Sequence, residues 1–327
     1  RFGDQSDVQA PASRGHSGVG QQCKTPYPRR ISPGRHNSGY SSFQSAPLSS
    51  GSVASPLMPF TLSELFRDED YRFHLTLRRG DVAAFFSRPD SAVLAERRAW
   101  LTSDPDRYVL ADPESLDVVE ETEEILGASP PTMAGGDIAA CTRNRLIALG
   151  CGLEPDFVLL RRDDDAVLRV RAGAVCFPSW WALEEKRGQT VDTIHAVVPG
   201  LNTSLGSVIT PFLDRLKPGM PYERSNWGLA ATPELNLHPA LQRPRLQAPL
   251  DVEQTWVRIE DQILAALPRS RGLLFGIAIR VVPLRHLLDE PTLRRGFLRA
   301  VRTMPSDLAA YKGMGPVMGD LLALPDH

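Results

Sequence analysis

The sequence has little of what marks secreted or membrane-spanning proteins. Its 327 residues include only four cysteines, none in a Cys-x-x-Cys pair or at zinc-ligand spacing from histidines. A disulfide framework normally needs a shorter, cysteine-denser chain, so we predict buried free thiols. The longest apolar runs, such as Leu273–Ile279, are far shorter than the roughly 20 residues of a membrane helix. We therefore expect a cytoplasmic protein that is not bound to a membrane.

The sequence also lacks a strong excess of either charge and the common nucleotide-binding motifs. It is 23% charged and 42% hydrophobic, with a formal net charge of -2. The first 57 residues hold six Lys/Arg and two Asp, so they carry +4 and the remainder carries -6. Nucleic-acid affinity depends largely on cations that neutralise phosphates, so we expect no nucleic-acid partner. There is no P-loop and no Gly-x-Gly-x-x-Gly run, which excludes a standard nucleotide-binding unit.

Residues 1–57 differ in composition from the rest of the chain. They are rich in Ser, Gly, Pro, Gln and Arg and show no apolar period, which is typical of disorder. Because Met58 opens an ordinary-looking sequence, we interpret 1–57 as a disordered extension that need not belong to the native protein. An Arg-rich, acid-poor start is also typical of an organellar transit peptide. We expect residues 58–327 to form a single domain.

The remaining pattern predicts helices, then strands, then helices again. We predict helices over 88–100, 115–126 and 138–149, the last two stopped by Gly127 and Gly150. Short β-rich runs follow at 157–160, 166–170 and 174–177, with turns at 163–165 and 171–173. The stretch 256–267 fits a helix or a strand; we favour a hairpin with 273–282, followed by helices over 291–304 and 306–311. This order predicts an α+β fold with a largely antiparallel sheet flanked by N- and C-terminal helices.

His195 is the histidine with the most suggestive surroundings. It lies in the apolar, β-prone run Thr193–Gly200, where burying a polar ring is costly unless its nitrogens have partners. Iron is one such partner, and a hydrogen bond to the other ring nitrogen would set the ligating tautomer. The local sequence equally allows a core histidine bonded to a backbone carbonyl.

Aromatic and charged residues recur on both sides of His195. Trp180 and Trp181 precede it, and Arg224–Trp227 and Trp256 follow. Flat apolar walls with a few arginines suit a haem pocket, although such a set is also compatible with ordinary core. Arg258, Glu260 and Gln262 alternate, so in a strand they would share one face, lining a polar pocket or meeting solvent.

Several of these motifs, in this order, resemble one known family. Val175–Trp181, Lys186, Gly188 and the run Ile194–Gly200 match its Cys-Phe-Pro-Ser-x-Trp, Lys-x-Gly and Ile-His-x-Pro-Val-Pro-Gly pattern. The match continues further along the chain, at Phe212, Leu216, Pro218–Gly219, Pro221, Arg224–Trp227, Arg258, Glu260, Gln262, Leu264, Leu267–Pro268 and Phe275. From about Phe60 to Met314 the chain thus resembles the alpha subunit of haem-dependent oxidative N-demethylase. The chain departs from the pattern at Val197, where the family has proline, at Val281–Val282, where it has Thr-Tyr, and at Asp261, where it commonly has arginine.

The resemblance implies a PAS-like sheet that holds haem b. Members act on dimethylamine or a similar small secondary amine, use dioxygen, and release the methyl group as formaldehyde. Their electrons come from reductase subunits that carry flavin and an iron–sulfur centre. By this resemblance His195 is the iron ligand, Arg224 and Lys186 meet the haem propionates, and Trp180 and Trp227 pack on the ring. Glu260 and Arg258 are the candidate catalytic residues, with Glu260 holding the amine or relaying protons.

Two other functions remain compatible with the sequence. One is a haem or small-molecule sensor without turnover, since PAS-like folds often bind ligands that they do not transform. The other is a haem-free relative in which His195 is a core residue. A visible absorption spectrum separates the second from the haem proteins.

Overall fold

The structure, a computed structural model, describes residues 60–73, 77–87, 91–129 and 137–325. The predicted disordered extension and the domain boundary at residue 58 lie outside the described residues. The strands are β1 (Arg78–Arg79), β2 (Val109–Ala111), β3 (Asp156–Arg162), β4 (Leu168–Ala174), β5 (Tyr222–Ala230), β6 (Trp256–Ala266) and β7 (Leu273–Pro283). They form one seven-stranded sheet in the order β1-β5-β6-β7-β3-β4-β2, and every neighbouring pair is antiparallel.

Helices precede, interrupt and follow the strands, so the predicted α+β class with an antiparallel sheet is confirmed. The helices are α1 (Leu62–Leu65), α2 (Val82–Phe86), α3 (Ser91–Ser103), α4 (Pro105–Tyr108), α5 (Leu116–Ile125), α6 (Ile138–Gly152), α7 (Val191–His195), α8 (Leu201–Asp214), α9 (Leu284–Asp289), α10 (Pro291–Thr303), α11 (Ser306–Tyr311) and α12 (Met318–Ala323). Within the described ranges no helix combines the length and the apolar character needed to cross a membrane.

The favoured hairpin is confirmed by β6 and β7, the two longest strands. Val257, Ile259 and Ile263 alternate with polar residues and are fully buried, which is the period of a half-buried strand rather than of a helix. The carboxylate of Glu121 accepts hydrogen bonds from the backbone N–H groups of Arg269 and Ser270 in the connecting turn. A helix residue therefore anchors the turn between the two strands.

Two glycines predicted as stop or turn signals instead allow close packing. Helix α6 continues through Gly150 to residue 152, because the glycine allows close packing: a Cβ there would lie 2.8 Å from the Leu101 side chain. Likewise, the turn predicted at 171–173 is wrong, and β4 runs through Gly173. A Cβ at Gly173 would lie 2.6 Å from the Phe157 carbonyl oxygen, so glycine permits close contact with β3. Of the strand predicted at 174–177, only residue 174 is in a strand, as the last residue of β4.

The two faces of the sheet have different coverings. On one face, which we call the helix-core face, Trp227, Ile259 and Ile263 are buried in the clusters formed with helices α2, α3, α5, α6, α9 and α10. On the other, the α8 face, Val158 packs with Leu264, Phe275 and helix α8. Side chains alternate along a strand, so odd and even positions of β5 and β6 face different environments. The candidate site lies on the α8 face.

Helix α10 packs closely on Phe66, the residue that follows α1. A Cβ on Gly296 would overlap the carbonyl oxygen of Phe66. We expect Gly296→Ala to lower the unfolding free energy by about 1–3 kcal/mol, because overpacking against backbone cannot be relieved by a rotamer change. Urea denaturation measures it, with Gly319→Ala as matched control, since a Cβ there meets nothing within 4 Å. Equal stability of the two variants would contradict the tight contact.

Candidate functional site

Four polar side chains form a patch on the α8 face where β5 pairs with β6. Arg224 lies opposite Gln262, and Asn226 lies opposite Glu260. The Gln262 amide donates a hydrogen bond of 3.0 Å to a Glu260 carboxylate oxygen. Register also places Arg258 on this face, next to Glu260 along β6, which confirms that Arg258, Glu260 and Gln262 share one side of a strand.

Lys312 completes the patch from the edge of the sheet. In the described part of the chain, β1 pairs only with the first two residues of β5, so the carbonyl of Trp227 lies on an open edge. The Lys312 ammonium donates to this carbonyl at 2.6 Å and to the side-chain oxygen of Asn226 at 2.8 Å. Burial lowers the pKa of Lys312 to about 8; Glu260 opposes this shift and Arg224 adds to it. Sequence reasoning missed Lys312, because a lysine after a C-terminal helix is unremarkable without knowledge of the β5 edge.

Arg224 is a cation without an anion bonded to it. Its guanidinium makes no hydrogen bond or ion pair with another described residue. Burial lowers the pKa of Arg224, while the charge of Glu260 opposes the shift. The Arg224 side chain is only half-buried, so its guanidinium remains accessible from the α8 face.

His195 is the last residue of α7, although the run around it is β-prone. Thr190 caps this short helix by accepting a hydrogen bond from the Thr193 N–H, and the cap overrides the β propensity of the run. The Nδ1 atom of His195 is buried and has no hydrogen-bond partner among the described residues. Burial lowers the pKa of His195, and the nearby charge of Arg224 lowers it further. At neutral pH the imidazole is therefore neutral, which is the form that binds metals.

These residues fit a haem group. A haem iron needs one axial protein nitrogen, which the half-buried His195 offers, and its carboxylates need cations, which Arg224 and Lys312 offer. Within the described ranges no three His, Cys, Asp or Glu side chains cluster to hold a bare metal ion. The buried Cys176 is no thiolate ligand, because burial raises the pKa of its thiol to about 12. The described cysteines are free, as predicted, but only Cys176 is buried; Cys141 and Cys151 are partly exposed.

Arg258, one of the candidate catalytic residues, forms hydrogen bonds with the backbone and with one serine. Its guanidinium donates to the carbonyl oxygens of residues 177, 178, 234 and 235 and to the Ser179 hydroxyl. Burial lowers the pKa of Arg258 to about 10, so it stays charged at neutral pH. With these bonds Arg258 positions the segment Phe177–Ser179.

The same segment is held from its other end by a buried ion pair. Asp156 accepts hydrogen bonds from the backbone N–H groups of Cys176 at 2.7 Å and Phe177 at 2.9 Å, and it pairs with Arg97. Arg97 is fully buried and also donates to the carbonyls of Gly150 and Ala174. The residues of the Cys-Phe-Pro-Ser motif are thus rigidly positioned rather than exposed as reactive groups.

Two of the other predicted haem-binding residues, Trp227 and Lys186, lie apart from the Arg224 side chain. Trp227 faces the helix core, where its ring packs on Phe66 at 5.0 Å, so the sheet separates it from the Arg224 side chain. Trp180 has φ 67° and its ring lies under the Arg245 guanidinium at 3.4 Å. Lys186 lies beside β4, where Gly188 bonds to Val170, four strand spacings or about 19 Å from β5.

Asp261 does not join Glu260 in the patch. The two residues are neighbours in β6, so their carboxylates point to opposite faces of the sheet. Asp261 is paired with Arg280 at 2.6 Å and accepts a hydrogen bond from the Ser225 hydroxyl at 2.6 Å. The anion is therefore neutralised on the helix-core face and leaves the charge around Glu260 unchanged.

Comparison with known families agrees with the motifs. The model of the family described as haem-dependent oxidative N-demethylase, alpha subunit-like, matches residues 135–322. This match includes α7, α8 and strands β3 to β7, and it contains His195, Arg224, Glu260 and Lys312. It covers more than half of the chain. The chain belongs to the haem-dependent oxidative N-demethylase alpha subunit-like family.

Proposed function

We propose that this protein binds haem b through His195 and oxidatively demethylates a small secondary amine of the dimethylamine type. The observation that carries the proposal is the buried Nδ1 of His195, which has no partner among the described residues, in a neutral imidazole beside Arg224. Membership of the family supports haem dependence and a multi-subunit oxygenase. In this proposal dioxygen is the oxidant, formaldehyde is released, and reductase subunits with flavin and iron–sulfur centres supply electrons.

The proposed roles follow from the position of each group. Bound haem would supply the reduction of dioxygen and the oxidation of the N-methyl group. His195 holds the iron, and Arg224 provides positive charge for a propionate. Glu260, steadied by the Gln262 amide, accepts the hydrogen bond of the amine N–H or carries a proton at its carboxylate. Arg258 acts indirectly by holding the Phe177–Ser179 segment next to the patch.

The fold assignment in this proposal is a PAS-like sheet. The antiparallel strands leave one face for the helical core and the other for α8 and the candidate site, which suits a ligand-binding sheet. A ligand on this face would contact side chains at alternate positions of β5 and β6, where the polar patch lies.

The absorption spectrum of the purified protein, expressed with haem supply, tests the proposal. We expect a Soret band that shifts on reduction with dithionite and shifts again with carbon monoxide, because carbon monoxide would bind reduced haem whose only protein ligand is His195. With an electron donor, dimethylamine should then yield formaldehyde. Haem binding without turnover of any small N-methyl amine would favour a sensor. Absence of a Soret band after addition of hemin would refute the proposal.

A further inference from the structure

The corner between α7 and α8 holds two buried polar atoms without a hydrogen-bond partner. They are the ring nitrogen Nδ1 of His195, at the end of α7, and the side-chain oxygen Oδ1 of Asn202, in the first turn of α8. Both residues are half-buried, but these two atoms are shielded from solvent. A buried donor or acceptor that is left unpaired costs stability, so each atom is expected to have a partner within this corner.

Asn202 is held in place by its amide nitrogen. Nδ2 donates a hydrogen bond of 2.9 Å to the carbonyl oxygen of Asp192, which also accepts the N–H of Ala196 at the end of α7. This bond sets the orientation of the amide, because Nδ2 is the donor and Oδ1 can only accept. Oδ1 lies within about 5 Å of the Asp192 carbonyl oxygen, since the two amide atoms share one carbon.

The His195 side chain lies over the same turn of α7. Helical side chains lean toward the N-terminus, over the residues three and four positions earlier, and Asp192 is three positions before His195. Burial lowers the pKa of His195, and the charge of Asp192 opposes this shift, as expected for neighbouring side chains. The Asp192 carboxylate itself accepts a hydrogen bond of 3.2 Å from the Thr210 hydroxyl. The imidazole and the Asn202 amide therefore meet at one carbonyl group.

The two unpaired atoms are chemically complementary. Five buried side-chain atoms lack a partner in the described part of the chain, and Asn202 Oδ1 is the one among them that can only accept. The Nε atoms of Arg243 and Arg294 can only donate, and Nε2 of His238 donates because its other ring nitrogen accepts a backbone N–H. Nδ1 of a neutral His195 can carry the ring proton. A donor and an acceptor thus lie unpaired in the same corner.

We infer that Asn202 is a positioning residue for His195: Oδ1 accepts a hydrogen bond from Nδ1–H and leaves the lone pair of Nε2 free for the iron. The torsion between Cβ and the ring of histidine is soft, so the imidazole turns toward Oδ1 without a change of backbone. Nε2 makes no hydrogen bond with a described residue and is not among the buried unpaired atoms. Such a bond fixes the ligating tautomer and raises the basicity of the ring. Only the identity of the ligand at Nε2 rests on the proposed function.

Two substitutions of Asn202 separate positioning from support of α7. Asn202→Leu removes both the acceptor and the donor to the Asp192 carbonyl, whereas Asn202→Asp removes the donor and keeps an acceptor. In the reduced, haem-loaded protein the iron–histidine stretch, measured by resonance Raman spectroscopy, rises with the strength of the acceptor at Nδ1–H. We expect a lower frequency in Asn202→Leu and a higher one in Asn202→Asp, with the haem midpoint potential moving the opposite way.

The matched control is Thr210→Val, which removes the hydroxyl bonded to Asp192 in the same corner and leaves Nδ1 and Oδ1 in place. Its iron–histidine stretch should equal that of the parent protein. Shifts of the two Asn202 variants in the same direction would show that Asn202 only anchors α7, and would overturn the inference. Unchanged frequencies in both variants would overturn it too.

The tautomer of His195 tests the pair without haem. Nitrogen chemical shifts of the ¹⁵N-labelled, ligand-free full chain distinguish Nδ1–H from Nε2–H, with the His195 signals assigned by their loss in His195→Gln. We expect mainly Nδ1–H in the parent protein and in Thr210→Val, and mainly Nε2–H in Asn202→Leu. Mainly Nε2–H in the parent protein would contradict the pair. A chain that takes up no haem but shows this change of tautomer refutes the proposed function and keeps the role of Asn202.

Discussion

His195→Ala is expected to abolish haem retention while the far-UV circular dichroism spectrum stays essentially that of the parent protein. The proposed axial bond is the one covalent attachment of the iron to the chain, so its loss leaves only packing and propionate contacts. The fold depends little on this side chain, because the buried Nδ1 bonds to no described residue. The measurement is the ratio of Soret to protein absorbance after gel filtration.

Two controls make this result specific. His286→Ala removes an exposed histidine from α9 and should retain full haem content. His195→Gly leaves space for a small molecule, so added imidazole should restore the Soret band. Unchanged haem content in His195→Ala would move the iron ligand to another residue and contradict the proposed site.

Arg97→Met is expected to lower the unfolding free energy by about 3–5 kcal/mol, the largest loss of stability among the changes considered. It removes one partner of a buried ion pair and leaves the Asp156 carboxylate uncompensated at 1% exposure of its side chain. It also leaves the carbonyls of Gly150 and Ala174 without their donor. Urea denaturation followed by circular dichroism measures the change.

A matched control lies one residue further along the same helix. Arg98 is exposed and donates only to the Cys151 carbonyl, so Arg98→Met should cost less than about 1 kcal/mol. Replacing both members of the pair, in Arg97→Met with Asp156→Leu, should recover part of the loss, because no charge is then left buried alone. A cost of Arg97→Met no greater than that of Arg98→Met would show that the buried pair does not stabilise the fold.

The Arg97 prediction concerns the segment that carries the Cys-Phe-Pro-Ser motif. Asp156 holds Cys176 and Phe177, and Arg258 holds Phe177 through Ser179, so the motif that marks the family is fixed at the end of β3 and against β6. Two separate buried arginines thus position a short segment next to the polar patch. The motif has no reactive side chain, and these hydrogen bonds explain why it is held so closely against the strands.

The family and the shared face of Arg258, Glu260 and Gln262 were predictable because they depend on local order along the chain. Alternation of Arg258, Glu260 and Gln262 predicts a shared face in any strand, and the structure confirms it. The β6–β7 hairpin and the helix over 306–311 follow from periodicity and turn residues in the same way. Such features depend on residues that are close together in the chain, and these can be read directly from the sequence.

Other features were decided only by tertiary contacts. Gly150 and Gly173 resemble stop and turn signals, yet each serves close packing against a distant element. Trp227 lies three positions after Arg224 in β5, so the two side chains point to opposite faces and Trp227 faces the helix core. Lys312 reaches the patch across the open edge of β5. The sequence by itself determined the family, the fold class and the face shared by Glu260 and its neighbours. Which cations surround that face was decided by the tertiary structure, because these contacts join residues far apart in the chain, such as Lys312 and Asn226, which are 86 positions apart.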